Sequence, residues 1–398
     1  MRTLVIAALA LAASPAFART IEVAAGPDAQ ARLQEALIAA QPGDTVAIGP
    51  GRFQLTDGLS LDANNVVVRG AGMSATVLDF AGQQGAGEGL LVTGDDVTLR
   101  DFAVVDAHGD GIKSKGADRV VYYRVRAAWT GGPKETNGAY GIYPVDSTGV
   151  LIDSCQVEGA SDAGIYVGQS KDITVRYSLA EGNVAGIEIE NSRNALVTYN
   201  MVTRNTGGIL VFDLPSLPVM GGGNTVLMGN LVVGNDTPNF APKGNIVAAV
   251  RRGTGVMVMA NDGVRVTHNI IRDNPTSGVM VVSYPRAFTD ARYNPTPRNV
   301  TIDNNTFAGN GDDPQLPGAD ALKAAFGGAL PPVIWDGIGP AGTLMVDASA
   351  AGLSLNLAKQ GDGAETARPA PFTASAPVVR VDEKTVGAPG SLEARLSR

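Results

Sequence analysis

The chain has 398 residues, 44% hydrophobic, 18% charged and 5% aromatic, with 50 glycines and a formal charge of −8. That apolar content can build a core and excludes a wholly disordered chain. Two histidines and one cysteine, Cys155, exclude zinc ribbons, haem attachment, iron–sulfur clusters and an internal disulfide framework, and the acidic balance speaks against a nucleic-acid partner.

The first 18 residues read as an export signal. Arg2 gives a positive start, Thr3 to Ala13 is apolar, and Ala16-Phe17-Ala18 is a small-residue cleavage site. Cleavage after Ala18 leaves a mature chain of charge −9, expected in a bacterial periplasm or outside the cell. No later run reaches the roughly 18 apolar residues of a membrane span. Next, Asp28 stands as the N-cap of a short amphipathic helix over Ala29 to Ala40, suited to plugging an open end of stacked strands. Val66-Val-Val-Arg-Gly-Ala-Gly72 and Thr76-Val-Leu-Asp79 are the first strands expected after it.

A repeat of about 22 residues then organises the chain. The tetrad Gly-apolar-x-apolar recurs from Gly89, Gly164, Gly186, Gly208, Gly255 and Gly278, with looser copies from Gly111 and Gly141. Alternation with period two and the wealth of Val and Ile predict short strands rather than helices. A second motif with paired asparagines follows, as in Asn200-Met-Val-Thr-Arg-Asn205, Asn230–Asn235, Asn269–Asn274 and Asn305–Asn310. Glycine and asparagine are expected at corners that need left-handed backbone angles, with stacked asparagines bonding to neighbouring turns. Strands this short bury themselves by stacking coil upon coil around one apolar interior.

On these residues, and on Leu33-Gln-Glu-Ala-Leu-Ile-Ala-Ala-Gln-Pro-Gly-Asp-Thr-Val46 with Gly49-Pro-Gly-Arg-Phe53, the sequence resembles the right-handed parallel β-helix, or pectin-lyase-like, superfamily over about residues 20–312. The resemblance implies an all-β solenoid of about a dozen coils with an N-terminal capping helix. The expected organisation is a signal peptide at 1–18, the capped solenoid at 19–315, a C-terminal cap at 316–359 and a flexible tail at 360–398. This fold hosts lyases, hydrolases, epimerases and binders alike.

Departures from the repeat point to insertions at Thr130 to Asn137, Leu214 to Gly223 and Thr237 to Gly253, expected as walls of a groove beside the Gly-Ile strands. Parity puts Ile187 and Ile189 inward and Glu188 and Glu190 outward. Carried from coil to coil, one outward ladder reads Lys113, Tyr143, Tyr166, Glu188 and Leu210, and its neighbour reads Lys115, Val145, Gly168, Glu190 and Phe212. His108, Asp110, Tyr140, Asp162 and Asp213 flank them. Such a strip has the parts for proton transfer beside a carboxylate: Lys113 or Lys115 as base, Tyr143 or Tyr166 as proton donor, and Glu188 within the catalytic set. His108, Asp110, Trp129, Tyr140, Asp162, Glu190 and Asp213 are then the expected substrate contacts. The same lysines could equally be ion pairs on a solvated face.

Between Gly111 and Thr136 six basic residues face two acidic ones, which favours an acidic ligand unless Arg119, Arg124 and Arg126 lie on another face. Tyr140-Gly-Ile-Tyr-Pro-Val-Asp146 is similar to the Tyr-Gly-Phe-Asp-Pro-His-Glu turn of mannuronan C5-epimerases, with Tyr143 and Val145 standing where that family has Asp and its catalytic His. Ile112-Lys-Ser-Lys115 followed by Val121-Tyr-Tyr123 is similar to the lysine-bearing strand of alginate and chondroitin lyases, without their arginine on the next coil. The expected function is therefore binding, and cleavage or epimerisation, of an extended uronate-containing polysaccharide by a monomer. No metal site is expected from acidic spacing, calcium being the one cation the acidic rungs could take. The whole pattern also resembles exported bacterial β-helix proteins encoded beside dihaem cytochrome c-like proteins. That implies an alternative, a non-catalytic module for a protein partner, supported by an outward apolar patch of Leu210, Phe212, Met257, Met259 and Met280.

Overall fold

The computed structural model describes residues 18–85, 87–348, 350–363, 366–372, 375 and 381–397. Nearly all of the expected export signal lies outside the described residues. Each coil contributes short strands to two stacks, a 20-stranded sheet and a 12-stranded sheet, and all pairings are parallel except that of the final strand Ala370–Phe372. Residues 22 or 23 apart come into register, as Ile142 with Ile165, Ile165 with Ile187 and Ile187 with Ile209. These isoleucines and their equivalents are buried in one continuous core. The strands form a parallel β-helix.

Two asparagine ladders stitch the coils together inside it. In one, Asn200, Asn230 and Asn269 each donate from the backbone N–H and from Nδ2 to the Oδ1 of the asparagine on the next coil, ending at Asn305. The other runs through Asn183, Asn205, Asn235, Asn274 and Asn310. Buried amides without such partners would each lose on the order of 1–3 kcal/mol. The tetrad glycines serve this packing and do not turn the chain: a Cβ on Gly186 would lie 2.8 Å from Asn205 Nδ2 and from the Gly208 carbonyl. The left-handed angles fall elsewhere, at corner residues such as Gln169 and Asn191.

The helix Ala29–Ala39 lays Leu33 and Leu37 over the first coil. Asp28 precedes it with φ 54°, and its side chain makes no capping bond, so the expected N-cap is corrected to a left-handed turn. The solenoid also continues past residue 315. Val333–Trp335 pairs with the strand Ser277–Val282, Gly352–Ser354 pairs with Val333–Trp335, and Ala370–Phe372 closes the edge.

The tail is a correction as well. Residues 381–397 pack back along the 20-stranded sheet. Glu383 pairs with Arg265, the Gly387 amide donates to the Asn194 carbonyl, and Glu393 forms two 2.6 Å bonds with Arg176. Leu392 is buried against Val121 and Leu151, and Arg395 donates to Thr98 Oγ1. Alternating ion pairs and one buried leucine hold a segment whose composition reads as a free linker.

Candidate functional site

The outward face of the 12-stranded sheet carries both expected ladders. Lys113 pairs with Tyr143, Tyr166 with Glu188, and Glu188 with Leu210. Lys115 pairs with Val145, Val145 with Gly168, Gly168 with Glu190, and Glu190 with Phe212. Tyr143 and Tyr166 meet edge-on with ring centroids 4.9 Å apart, and Tyr140 lies 4.5 and 4.4 Å from them. Gly168 is required here because a side chain would collide with the Tyr166 ring that lies over it.

At the open end, Lys113 Nζ lies 2.9 Å from Glu88 Oε1, 3.3 Å from Asp110 Oδ2 and 4.8 Å from the centre of the Tyr143 ring. Burial works against its charge, but the bond to Glu88 and the Asp110 carboxylate hold the ammonium above lysine's usual pKa. Asp110 is pushed up by burial, with Lys113 opposing. His108 and Lys115 are exposed at the rim. Glu88 went unread in the sequence, although it precedes Gly89 as Asp110 precedes Gly111, and that parity places the two acids on adjacent coils.

Behind the tyrosines the groups are buried. Tyr166 donates its hydroxyl to Glu190 Oε1 at 2.7 Å, and Asn245 Nδ2 donates to Asp162 Oδ2 at 2.9 Å. Burial pushes Asp162 up to about 7 against the Asn245 bond, and Glu190 up to about 7 against the Tyr166 bond. Glu188 is raised well above the carboxylate range by complete burial, by the Glu190 and Asp162 charges and by the proton it shares with Glu190. Burial and the same three carboxyls hold Tyr140 well above its usual value, while Tyr143 is raised chiefly by burial. At neutral pH the cluster can both give and accept a proton.

Loops explain the burial. Asp213 accepts backbone N–H bonds from Gly221 and Gly222, so it pins the segment after its own strand, and its carbonyl accepts the Tyr293 hydroxyl. Residues 236–253 cross the acids through Asn245, and Arg286 donates to the Gly244 and Asn245 carbonyls. A third covering segment, 283–298, brings Tyr284, Phe288 and Tyr293 against Phe212 and Met259. Its signal was the 36-residue step from Asn269 to Asn305, far beyond the repeat. The expected apolar patch is thereby corrected: Leu210, Phe212, Met257, Met259 and Met280 are buried under the chain's own loops as a second core.

Two further expectations are corrected. Trp129 is buried, not exposed, and its Nε1 donates to the Ala107 carbonyl at 2.7 Å beneath Gly138. Arg119, Arg124 and Arg126 belong to the other face, paired with Asp96, Asp101 and Glu158, so the local basic excess does not reach the site. Val145, at the position matched to a catalytic histidine, is buried. Cys155 is buried and free of any disulfide. Among the described residues no group of three His, Cys, Asp or Glu side chains is placed to hold a metal ion, and no helix is long and apolar enough to cross a membrane.

Residues 64–226 match the family model described as the right handed beta helix region. The A-module of mannuronan C-5 epimerase AlgE4 from Azotobacter vinelandii superposes with a TM-score of 0.50 at 16% identity, over 81% of this chain and 91% of that one. This chain is a right-handed parallel β-helix. An alginate lyase from Paenibacillus sp. str. FPU-7 (18% identity, 73% and 97% of the two chains, TM-score 0.47) and pectate lyase Pel9A (16%, 80% and 74%, 0.43) resemble the β-helix less well. No curated protein matches the β-helix chain in sequence.

Proposed function

We propose that this β-helix is an exported protein that binds an extended, uronate-containing polysaccharide along the open end of the 12-stranded face and moves a proton on the bound sugar. The observation that carries the reading is Lys113, held as an ammonium against Tyr143 at the mouth of a tyrosine cluster that leads to Asp162 and Glu190, both titrating at about 7. The likeness in fold to a protein named mannuronan C-5 epimerase is consistent with it.

Lys113 is suited to neutralising a substrate carboxylate, because its acid partners keep it protonated. Exposed Lys115 and His108 flank that position. Neutralisation lowers the cost of removing the proton on the adjacent carbon. Tyr143 is the reachable group: it takes the proton from the sugar carbon as its own phenolic proton passes inward to the ionised member of the carboxyl pair behind the rings, and the reverse transfer returns it. Lys113 thus becomes the electrostatic partner and the proton-accepting role passes through Tyr143 to the carboxyls.

Incubation with alginate, pectate and glycosaminoglycans, with and without calcium, tests the reading through absorbance of an unsaturated product and deuterium uptake at C5. Lys113→Ala should lower turnover on the active polymer at least tenfold. No binding and no product on any polymer overturns it. A second reading, binding without turnover, is favoured by the burial of Tyr166, Asp162, Glu188 and Glu190. Retained affinity with neither product nor exchange selects it.

A further inference from the structure

Six large hydrophobic side chains are exposed among the described residues, and four of them gather on the 20-stranded sheet, away from the acid cluster. Tyr177 (57% exposed) and Tyr199 (54%) stand at one corner on successive coils, with Met201 (45%) and Ile270 (46%) beside them. The tyrosine rings are parallel to within 7°, with centroids 5.7 Å apart. Met201 and Ile270 belong to a row in register, Leu179, Met201, Leu231 and Ile270, on adjacent strands.

The backbone makes the tyrosines unusual. Tyr177 has φ 50° and Tyr199 φ 54°, and they are the only Tyr, Phe or Trp residues with positive φ among the described residues. The next coils place Gly229, His268 and Asn304 at this corner, and most left-handed positions among the described residues hold Asn, Asp or Gly, which bear that conformation at least cost. The fold therefore does not need an aromatic residue there. Nor do the exposed rings supply a core. Gly229 follows Tyr199 because a Cβ would lie 2.7 Å from its ring, so room is kept for the ring to lie along the coil axis. Strain and exposure retained together mark a working surface.

Charge narrows the occupant. Arg176 is paired with Asp153 and Glu393, and Arg204 with Glu181. The arginines bordering the rings are thus each paired with a carboxylate, and Arg176 also lies 5.5 Å from the centre of the Tyr177 ring, which leaves an anionic polymer little to bind. The two stacked rings on successive coils, with centroids 5.7 Å apart, form one exposed aromatic strip about as long as one sugar unit, with phenolic hydroxyls at its rim. We propose that the Tyr177–Tyr199 corner is a second saccharide-binding surface that takes an uncharged glycan chain lying along the solenoid axis. The inference stands apart from the reading of the Lys113 face.

Affinity electrophoresis of the full chain in gels containing hydroxyethylcellulose, xyloglucan or galactomannan tests it, with alginate as the charged comparison. At least one uncharged polymer should retard the wild type, and the Tyr177→Ala, Tyr199→Ala double variant should bind it about tenfold more weakly with alginate behaviour unchanged. Tyr199→Asn should melt higher than the wild type while binding more weakly, a pairing that mere surface decoration would not produce. The proposal is overturned if no uncharged polymer retards the wild type, or if the double variant is retarded equally. It is also overturned if sedimentation shows a dimer that the double variant abolishes, which assigns the surface to a second copy of the chain.

Discussion

From Ser60 through Leu91 and Lys113 to Tyr143, the outward residues of the 12-stranded sheet meet solvent, while from Tyr166 through Glu188, Leu210, Met257 and Met280 to Ile334 they lie under loops. Strand alternation and coil register are the same in both stretches. What differs is the length of chain between coils. Alternation decides which way a side chain leaves the sheet; the insertions 213–222, 236–253 and 283–298 decide whether it meets water. In the open stretch an ionic group finds an ionic partner, as Lys113 does. In the covered stretch the carboxyls have only each other, Tyr166 and Asn245, and burial pushes their pKa values up.

The largest expected contrast is in packing. Met257→Ala in the covered stretch should cost about 2–4 kcal/mol in urea unfolding, whereas Leu91→Ala in the open stretch should cost under about 1 kcal/mol. Equal losses would break the distinction. The next contrast is in pH. Asp162 and Glu190 titrate at about 7 in the folded chain and well below that when unfolded, so the folded state holds protons that the unfolded state has released. Stability contributed at pH 4 is therefore lost as pH rises through about 7, at up to about 1.4 kcal/mol per pH unit for each proton that only the folded state retains, and the slope flattens above that pH. Glu188→Leu, which extends the apolar row of Leu210 and Met257, should raise stability at pH 8 by about 1–3 kcal/mol and flatten that slope. A variant less stable than wild type at pH 8 would show that the proton shared with Glu190 outweighs the cost of burying the Glu188 carboxyl. The smallest effect belongs to Lys113→Ala, expected to change stability by at most about 1 kcal/mol while the Glu88 carboxyl, now held low by Lys113, rises toward its usual range in an NMR titration.

The coil, the strand faces and the asparagine ladders were legible because each depends on spacing along the chain. Gly186-Ile-Glu-Ile states its own parity, and Asn200, Asn230 and Asn269 are neighbours in space for the same reason that they recur in sequence. The cover was not legible. Nothing in residues 236–253 says that Asn245 reaches Asp162, because that contact spans 83 residues and rests on how three loops settle together. The segment 283–298 follows the last glycine tetrad, so no later tetrad measured it, and only the stretched asparagine spacing betrayed it. Trp129 was misread because an aromatic beside an insertion has the same local sequence whether the loop folds over it or away. The tail was misread because one leucine and a few charges look like linker composition until Arg100, Arg176 and Arg265 are seen waiting on the sheet.

That tail changes how the array can come apart. In a stack of coils each unit ordinarily touches only its neighbours, so ends can fray one coil at a time. Residues 383–396 tie Arg265, late in the stack, to Asn194, Arg176, Leu151, Thr98 and Arg100, progressively earlier ones. Fraying of those early coils must release contacts held by the last residues of the sequence, which converts a row of independent units into a body that melts more nearly as one. Removing residues 381–398 should therefore broaden the thermal transition more than it lowers its midpoint.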